Sequence, residues 1–158
     1  MTERLPRALR SAINARFNAT VYEDPYSPFC LIAGDNGDAD AIHVYLSEYC
    51  AGVPHLAVVR NDVYARFSHD AYNKGSALAE VARRLGLDAG NIFAAGDHLN
   101  DLPMLTRAHA RWLAAPGNAI APVQQAVARQ AGYLSRQPNG GGVEEALRFC
   151  LQQTRQKQ

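Results

Sequence analysis

The stretch Asn91-Ile92-Phe93-Ala94-Ala95-Gly96-Asp97-His98-Leu99-Asn100-Asp101-Leu102-Pro103-Met104-Leu105 constrains the chain more than any other. It opens with a short unbroken apolar run, Ile92 to Ala95, the pattern of a strand buried on both faces of a parallel sheet. The run stops at Gly96-Asp97, and a second aspartate, Asp101, follows four residues later. Leu102-Pro103-Met104-Leu105 then reads as the start of a helix, because proline is comfortable in a first helical turn. Two carboxylates therefore fall in a tight loop at the carboxyl end of an interior strand. In open α/β sheets that edge is where ligands bind.

Carboxylates so placed suit a hard cation. Mg2+ takes oxygen ligands in octahedral geometry and keeps several waters, so one or two protein carboxylates suffice. Asp97 and Asp101 can supply them, directly or through water, and Asn100 adds an amide able to donate to a phosphate oxygen. The plainer alternative is that Asp101 caps the helix and Asp97 satisfies loop amides. Spacing alone leaves both open.

The rest of the chain alternates helical and extended patterns. Leu5, Leu9, Ala12 and Ile13 share a face at helical spacing, which predicts a helix over 5–16. Thr20 to Tyr22 and Phe29 to Ala33 read as strands around the turn residues Asp24-Pro25-Tyr26-Ser27-Pro28. Ile42, Tyr45, Leu46 and Tyr49 mark a helix ending near Gly52, with Asp38 placed to cap it and Asp40 in its first turn. Leu56 to Arg60 and Val63 to Ser68 form a hairpin pattern across Asn61-Asp62. Leu78, Val81, Ala82 and Leu85 define a helix over 76–85, with Gly86 as the residue after its end. Arg111 to Ala115 is a further strand, and Ile120, Val123 and Val127 lie on a helix that ends at Gly132. Tyr133 to Ser135 is a short strand, Pro138 to Gly142 a flexible loop, and Val143 to Leu151 a closing helix.

Several function classes find no support. Sixteen Lys and Arg against fifteen Asp and Glu give a formal charge of +1, scattered along the chain, so there is no electrostatic footprint for nucleic acid. No apolar run reaches membrane-span length. Three cysteines, Cys30, Cys50 and Cys150, sit far apart in apolar settings and read as small buried hydrophobes of a reducing, cytoplasmic protein. His98 has no second histidine or cysteine at zinc-ligand spacing. The five histidines form no usable pattern.

Three segments nevertheless stand in an informative order: Asn73-Lys74-Gly75, then Gly96-Asp97-His98-Leu99-Asn100-Asp101, then Gly117-Asn118-Ala119. Together they resemble the last two motifs of the haloacid dehalogenase-like (HAD) hydrolases, nearest to the Cof-type branch with a large α/β cap. The resemblance covers roughly residues 60 to 150. It implies an α/β fold: a Rossmann-like parallel sheet, a partial HAD core, with part of an α/β cap domain. The expected division is a partial cap over 1–69 and the carboxyl-terminal part of the core over 70–158. It implies a Mg2+-dependent phosphohydrolase acting on a small phosphorylated substrate such as a sugar phosphate. In that resemblance Asp97 and Asp101 hold the metal, while Lys74 and Asn100 bind the phosphate. Lys74, otherwise a solvated lysine, becomes the catalytic cation.

One departure is large. The family's nucleophile pattern, Asp-x-Asp-x-Thr/Ser after an apolar strand, is not visible. Asp38-Ala39-Asp40 is followed by Ala41 and reads as helix-start chemistry instead. The expectation is therefore a chain incomplete by itself, resembling the later part of a longer phosphatase and missing an N-terminal fragment. The alternative is a catalytically silent remnant that binds phosphate or a partner chain. An unpaired edge beside Ile92 to Ala95 would then favour a homo-oligomer or a complementing fragment.

Overall fold

The computed structural model describes residues 7–24 and 27–155, and the chain divides into two compact units, Met1–Ala71 and Tyr72–Gln158.

The first unit is a helix-backed antiparallel sheet. Helix α1 (Arg7–Arg16) leads into strands β1 (Ala19–Asp24) and β2 (Ser27–Ala33), then helix α2 (Asn36–Ala51) and strands β3 (Leu56–Asn61) and β4 (Tyr64–His69). The strand order is β1-β2-β4-β3, because the β3–β4 hairpin returns β4 against β2. Alternation sends Phe29, Leu31 and Ala33 of β2, with Ala65 and Phe67 of β4, into one core beneath Leu9, Ile13, Ile42 and Leu46 of the helices. Phe29 stacks on Phe67 with ring centroids 4.6 Å apart. Arg60 is buried beside this core, donating to Asn36 Oδ1 at 3.0 Å and to the Asp62 carbonyl at 2.8 Å, and pairing with Asp40.

The expected cap of α2 is corrected. The helix begins at Asn36, and Asp35 is its N-cap, accepting from the Asp38 N–H at 2.8 Å; Asp38 lies in the first turn. Two aspartates stood near the helix start, and the earlier one has the extended backbone a cap requires. Of the expected first helix, Leu5 and Pro6 lie outside the described residues, as do Pro25 and Tyr26 of the first turn.

The second unit is a three-stranded parallel sheet in the order β5-β6-β7, formed by β5 (Phe93–Ala95), β6 (Trp112–Ala115) and β7 (Tyr133–Leu134). Helices α3 (Lys74–Leu85), α4 (Ala121–Arg129) and α5 (Asn139–Arg155) connect and flank it. Leu113, Ala114 and Ala115 of β6 are all buried, as expected of a central parallel strand covered on both faces. Leu113 and Ala115 share a core with Ile92, Ala94, Leu105, Val123 and Val127.

Two local expectations fail here. Residues after Asp101 do not form an α-helix: a 3₁₀ turn spans Leu99–Asp101 and irregular turns run on to His109. Pro103 has no N–H to continue a ladder, and the backbone bonds are split between i→i−3 and i→i−4, with Leu105 N–H shared by the Asp101 and Leu102 carbonyls. The Gly140-Gly141-Gly142 run is not a loop but the first turn of α5. A Cβ at Gly142 would lie 2.2 Å from the Gln137 carbonyl oxygen and 2.8 Å from Pro116 Cβ, so the residue is glycine for close packing rather than flexibility.

Candidate active site

Parallel pairing of Phe93 with Trp112, Ala94 with Leu113 and Ala95 with Ala114 carries β5 to its end at Gly96, whose N–H still donates to the Ala114 carbonyl at 3.3 Å. The chain then curls so that Asp101 folds back over Gly96. A Cβ on residue 96 would meet Asp101 Cβ at 2.4 Å and its Oδ2 at 2.7 Å. Glycine at that position is therefore what allows Asp101 to sit under the loop. Asp101 Oδ2 accepts from the backbone N–H of Asp97 at 2.9 Å and of His98 at 3.2 Å. Part of the plain alternative holds: Asp101 takes part in a capping box with His98 at the 3₁₀ turn, and it is Asp101, rather than Asp97, that satisfies the loop amides.

Lys74 arrives from the other side. Asn73 caps α3, its side chain accepting from Gly75 and Ser76 N–H while Ser76 Oγ accepts from Asn73 N–H. Lys74 is the first helical residue, where the helix dipole opposes a cation. Its ammonium pairs with Asp101 Oδ1, which offsets that opposition. Gly75 makes the approach possible, because a Cβ there would stand 2.4 Å from the Pro103 carbonyl oxygen. Asp101 is buried and the Lys74 side chain half-exposed, so the ammonium reaches from solvent onto an interior carboxylate. Burial alone pushes the Asp101 carboxyl up, but Lys74 and the two loop N–H groups outweigh it and hold it below the usual carboxylate range.

Asp97 behaves differently. Its side chain is exposed, and Oδ2 accepts a long contact, 3.4 Å, from Asn118 Nδ2. Its own carbonyl takes the Ile120 N–H at 3.0 Å, which fastens this loop to the turn after β6. Asn118 Oδ1 in turn accepts from the Asn139 N–H at 2.6 Å, so one amide bridges Asp97 to the start of α5. Asn118 was absent from the sequence-derived site; its signal was present in Gly117-Asn118-Ala119, but nothing in that spacing pointed to Asp97. Asn100 places its Oδ1 in a buried position with no hydrogen-bond partner. Such an orphan carries a desolvation cost of about 1–3 kcal/mol and marks a place for a ligand or donor.

Lys74, Asp97, Asn100 and Asp101 thus all belong to one edge of the second unit, at α3's first residue and the carboxyl end of β5. The donor set fits Mg2+ in part. Asp97 is an exposed carboxylate and Asn100 Oδ1 an unsatisfied hard oxygen, whereas both oxygens of Asp101 already have partners. Asp101 therefore fits a role behind the metal, toward a water or Lys74, better than direct ligation.

Solved structures of similar shape define the class. A Thermoplasma acidophilum protein superposes with TM-score 0.64 at 15% identity, covering 90% of this chain and 60% of that one. The sucrose-phosphatase of Synechocystis gives 0.62 at 19% identity, covering 94% and 63%. The fold is that of HAD hydrolases, a parallel α/β core with a mixed α/β cap. Residues 10–147 match the sequence profile of the haloacid dehalogenase-like hydrolases, and the chain belongs to that family. A phosphoglycolate phosphatase of Archaeoglobus fulgidus is 35% identical over 77 residues, 49% of this chain and 32% of that protein. The 5-amino-6-(5-phospho-D-ribitylamino)uracil phosphatase of Bacillus subtilis is 36% identical over 79 residues, 50% of this chain and 29% of that protein. The chain's match spans about a third of the length of these curated relatives. Among the described residues no helix is long and apolar enough to cross a membrane.

Proposed function

We propose that Lys74, Asp97, Asn100 and Asp101 form part of the active site of a Mg2+-dependent phosphohydrolase acting on a small phosphate ester such as a sugar phosphate. The observation that carries this reading is the Lys74 ammonium on buried Asp101 beside exposed Asp97, at the ligand-binding edge of a parallel sheet. Lys74 neutralises non-bridging phosphate oxygens, where charge develops in phosphoryl transfer, and Asp101 holds its Nζ in place. Asn100 Nδ2 donates to the phosphate. Asp97 would hold Mg2+ with Asn100 Oδ1 as a further oxygen, and Asp101 would act on it through water. When bound, the ion supplies charge neutralisation at the phosphoryl oxygens. In the full reaction a carboxylate attacks phosphorus, the alkoxide leaves, and water then releases phosphate from the acyl phosphate. No Asp-x-Asp-x-Thr/Ser pattern in this sequence supplies that carboxylate.

The missing pattern favours a second reading, a silent remnant that binds phosphate or a partner chain. Both readings take the protein as cytoplasmic and self-associating, the latter supported by β5 at the edge of the sheet among the described residues. A phosphatase assay on p-nitrophenyl phosphate with Mg2+ separates them. Turnover that Asp97→Ala abolishes supports the enzyme. Vanadate binding that Lys74→Ala abolishes, with no turnover at high protein concentration, supports the remnant. Vanadate affinity untouched by Lys74→Ala removes both.

A further inference from the structure

Within the first unit, His55, His69 and Asp70 meet at one end of the β3–β4 hairpin. Leu56 pairs with His69 across the two strands, and the Asp70 N–H donates to the His55 carbonyl at 3.1 Å, which closes the hairpin's open end. His55 holds a left-handed backbone, φ 62°. Its ring lies over that of His69, centroids 5.0 Å apart and nearly parallel. Both Nδ1 atoms approach the same oxygen: His55 Nδ1 lies 3.5 Å and His69 Nδ1 3.2 Å from Asp70 Oδ1. Among the described residues this is the group of three whose ligand atoms all fall within 4.8 Å of one another.

We propose that His55, His69 and Asp70 bind a borderline divalent transition metal, Zn2+ in preference to Mg2+. Tetrahedral Zn2+ with bonds of about 2.1 Å sets neighbouring ligand atoms about 3.4 Å apart, close to the two histidine–aspartate distances, and one exposed ring rotates out of the stack to bring its in-plane nitrogen lone pair onto the ion. Two imidazoles with one carboxylate select Zn2+, Ni2+ or Cu2+ over the hard cations that suit Asp97. All three side chains are exposed, so entry is open and the fourth position falls to water. His69 Nδ1 also accepts the Ala71 N–H at 3.2 Å; that donor is exposed and turns to water when metal takes the nitrogen. The ion would clip the start of β3 to the end of β4. This site is independent of the phosphohydrolase reading, since none of its residues belongs to that edge.

The probe is Zn2+ alone, titrated into the whole chain against a chromophoric chelator. One equivalent binds, and His55→Asn, His69→Asn and Asp70→Asn each weaken it at least tenfold. Asparagine suits position 55 because it tolerates a left-handed backbone. Asp97→Asn leaves this equivalent in place. A second measurement needs no variant: the imidazole C–H proton signals of His55 and His69 shift or broaden at one equivalent, and those of His43, His98 and His109 do not. Affinity unchanged within twofold in His55→Asn, or imidazole shifts spread over all five histidines, overturns the proposal.

Discussion

Replacing Lys74 by methionine isolates the contact on which the site turns. Asp101 is 5% exposed and its Oδ1 loses the ammonium, while Oδ2 keeps the N–H groups of Asp97 and His98. Stripping one partner from a fully buried ion pair costs about 3–5 kcal/mol. Here the Lys74 side chain is 49% exposed and Asp101 retains two donors, so the loss falls to the lower end of the range for one charged hydrogen bond, about 1.5–3 kcal/mol, because solvent screens the ammonium. Trp112, the single tryptophan, lies on β6, so urea unfolding followed by its fluorescence reports the second unit. The pH dependence supplies the sharper test. The folded Asp101 carboxyl lies below its ordinary value, so its contribution is present above the unfolded pKa of about 3.9 and is lost as pH falls through the lowered folded value. In Lys74→Met the burial effect that raises the carboxyl is no longer outweighed by the ammonium. The stability gap between the two proteins is therefore full at pH 7 and narrows as Asp101 protonates in both. A gap that is the same at pH 7 and at acid pH would refute the pairing as its cause.

Other outcomes follow from single contacts. Gly96→Ala forces a Cβ into Asp101 and lowers the stability of the second unit by about 1–3 kcal/mol in the same fluorescence assay. Asp97→Asn changes stability by less than about 0.5 kcal/mol, because the side chain is exposed, but weakens Mg2+ binding in calorimetric titration. Arg60→Met strips buried bonds to Asn36 and the Asp62 carbonyl and destabilises the first unit by about 1–3 kcal/mol in far-ultraviolet circular dichroism. Among the described residues β5 pairs with β6 alone, so sedimentation should show concentration-dependent association; a stable monomer across the whole range would speak against an uncovered edge.

How much of this was legible in the sequence depends on range. Period-2 and period-3.6 patterning located the strands and α-helices to within a few residues, because most of them bury one face or, for β6, two, although the α3 face leaves Val81 and Leu85 exposed. Helix starts were less legible. Near α2 two aspartates competed for the cap, and near α5 three glycines looked like a linker although one of them, Gly142, packs closely against Pro116 and Gln137. Leu102 to Leu105 had helical composition, yet the loop that Asp101 anchors left irregular turns. Within the site, residue types and order pointed to Lys74, Asp97, Asn100 and Asp101. The division of labour between the two aspartates was not legible, because it depends on backbone N–H groups converging on Asp101 and on Asn118 reaching Asp97 from 21 residues away. His55 and His69 were opaque for the same reason, since only strand pairing makes them neighbours.

The most direct test of the phosphate-handling site is a backbone and side-chain NMR titration of the whole chain with Mg2+ and inorganic phosphate. Phosphate-induced shifts are expected at Lys74, at Asp97 through Asp101 and at Asn118 and are lost in Lys74→Ala, while Mg2+-induced shifts at Asp97 and Asn100 remain in that variant. Phosphate shifts that fall elsewhere, or that persist unchanged in Lys74→Ala, would contradict the site.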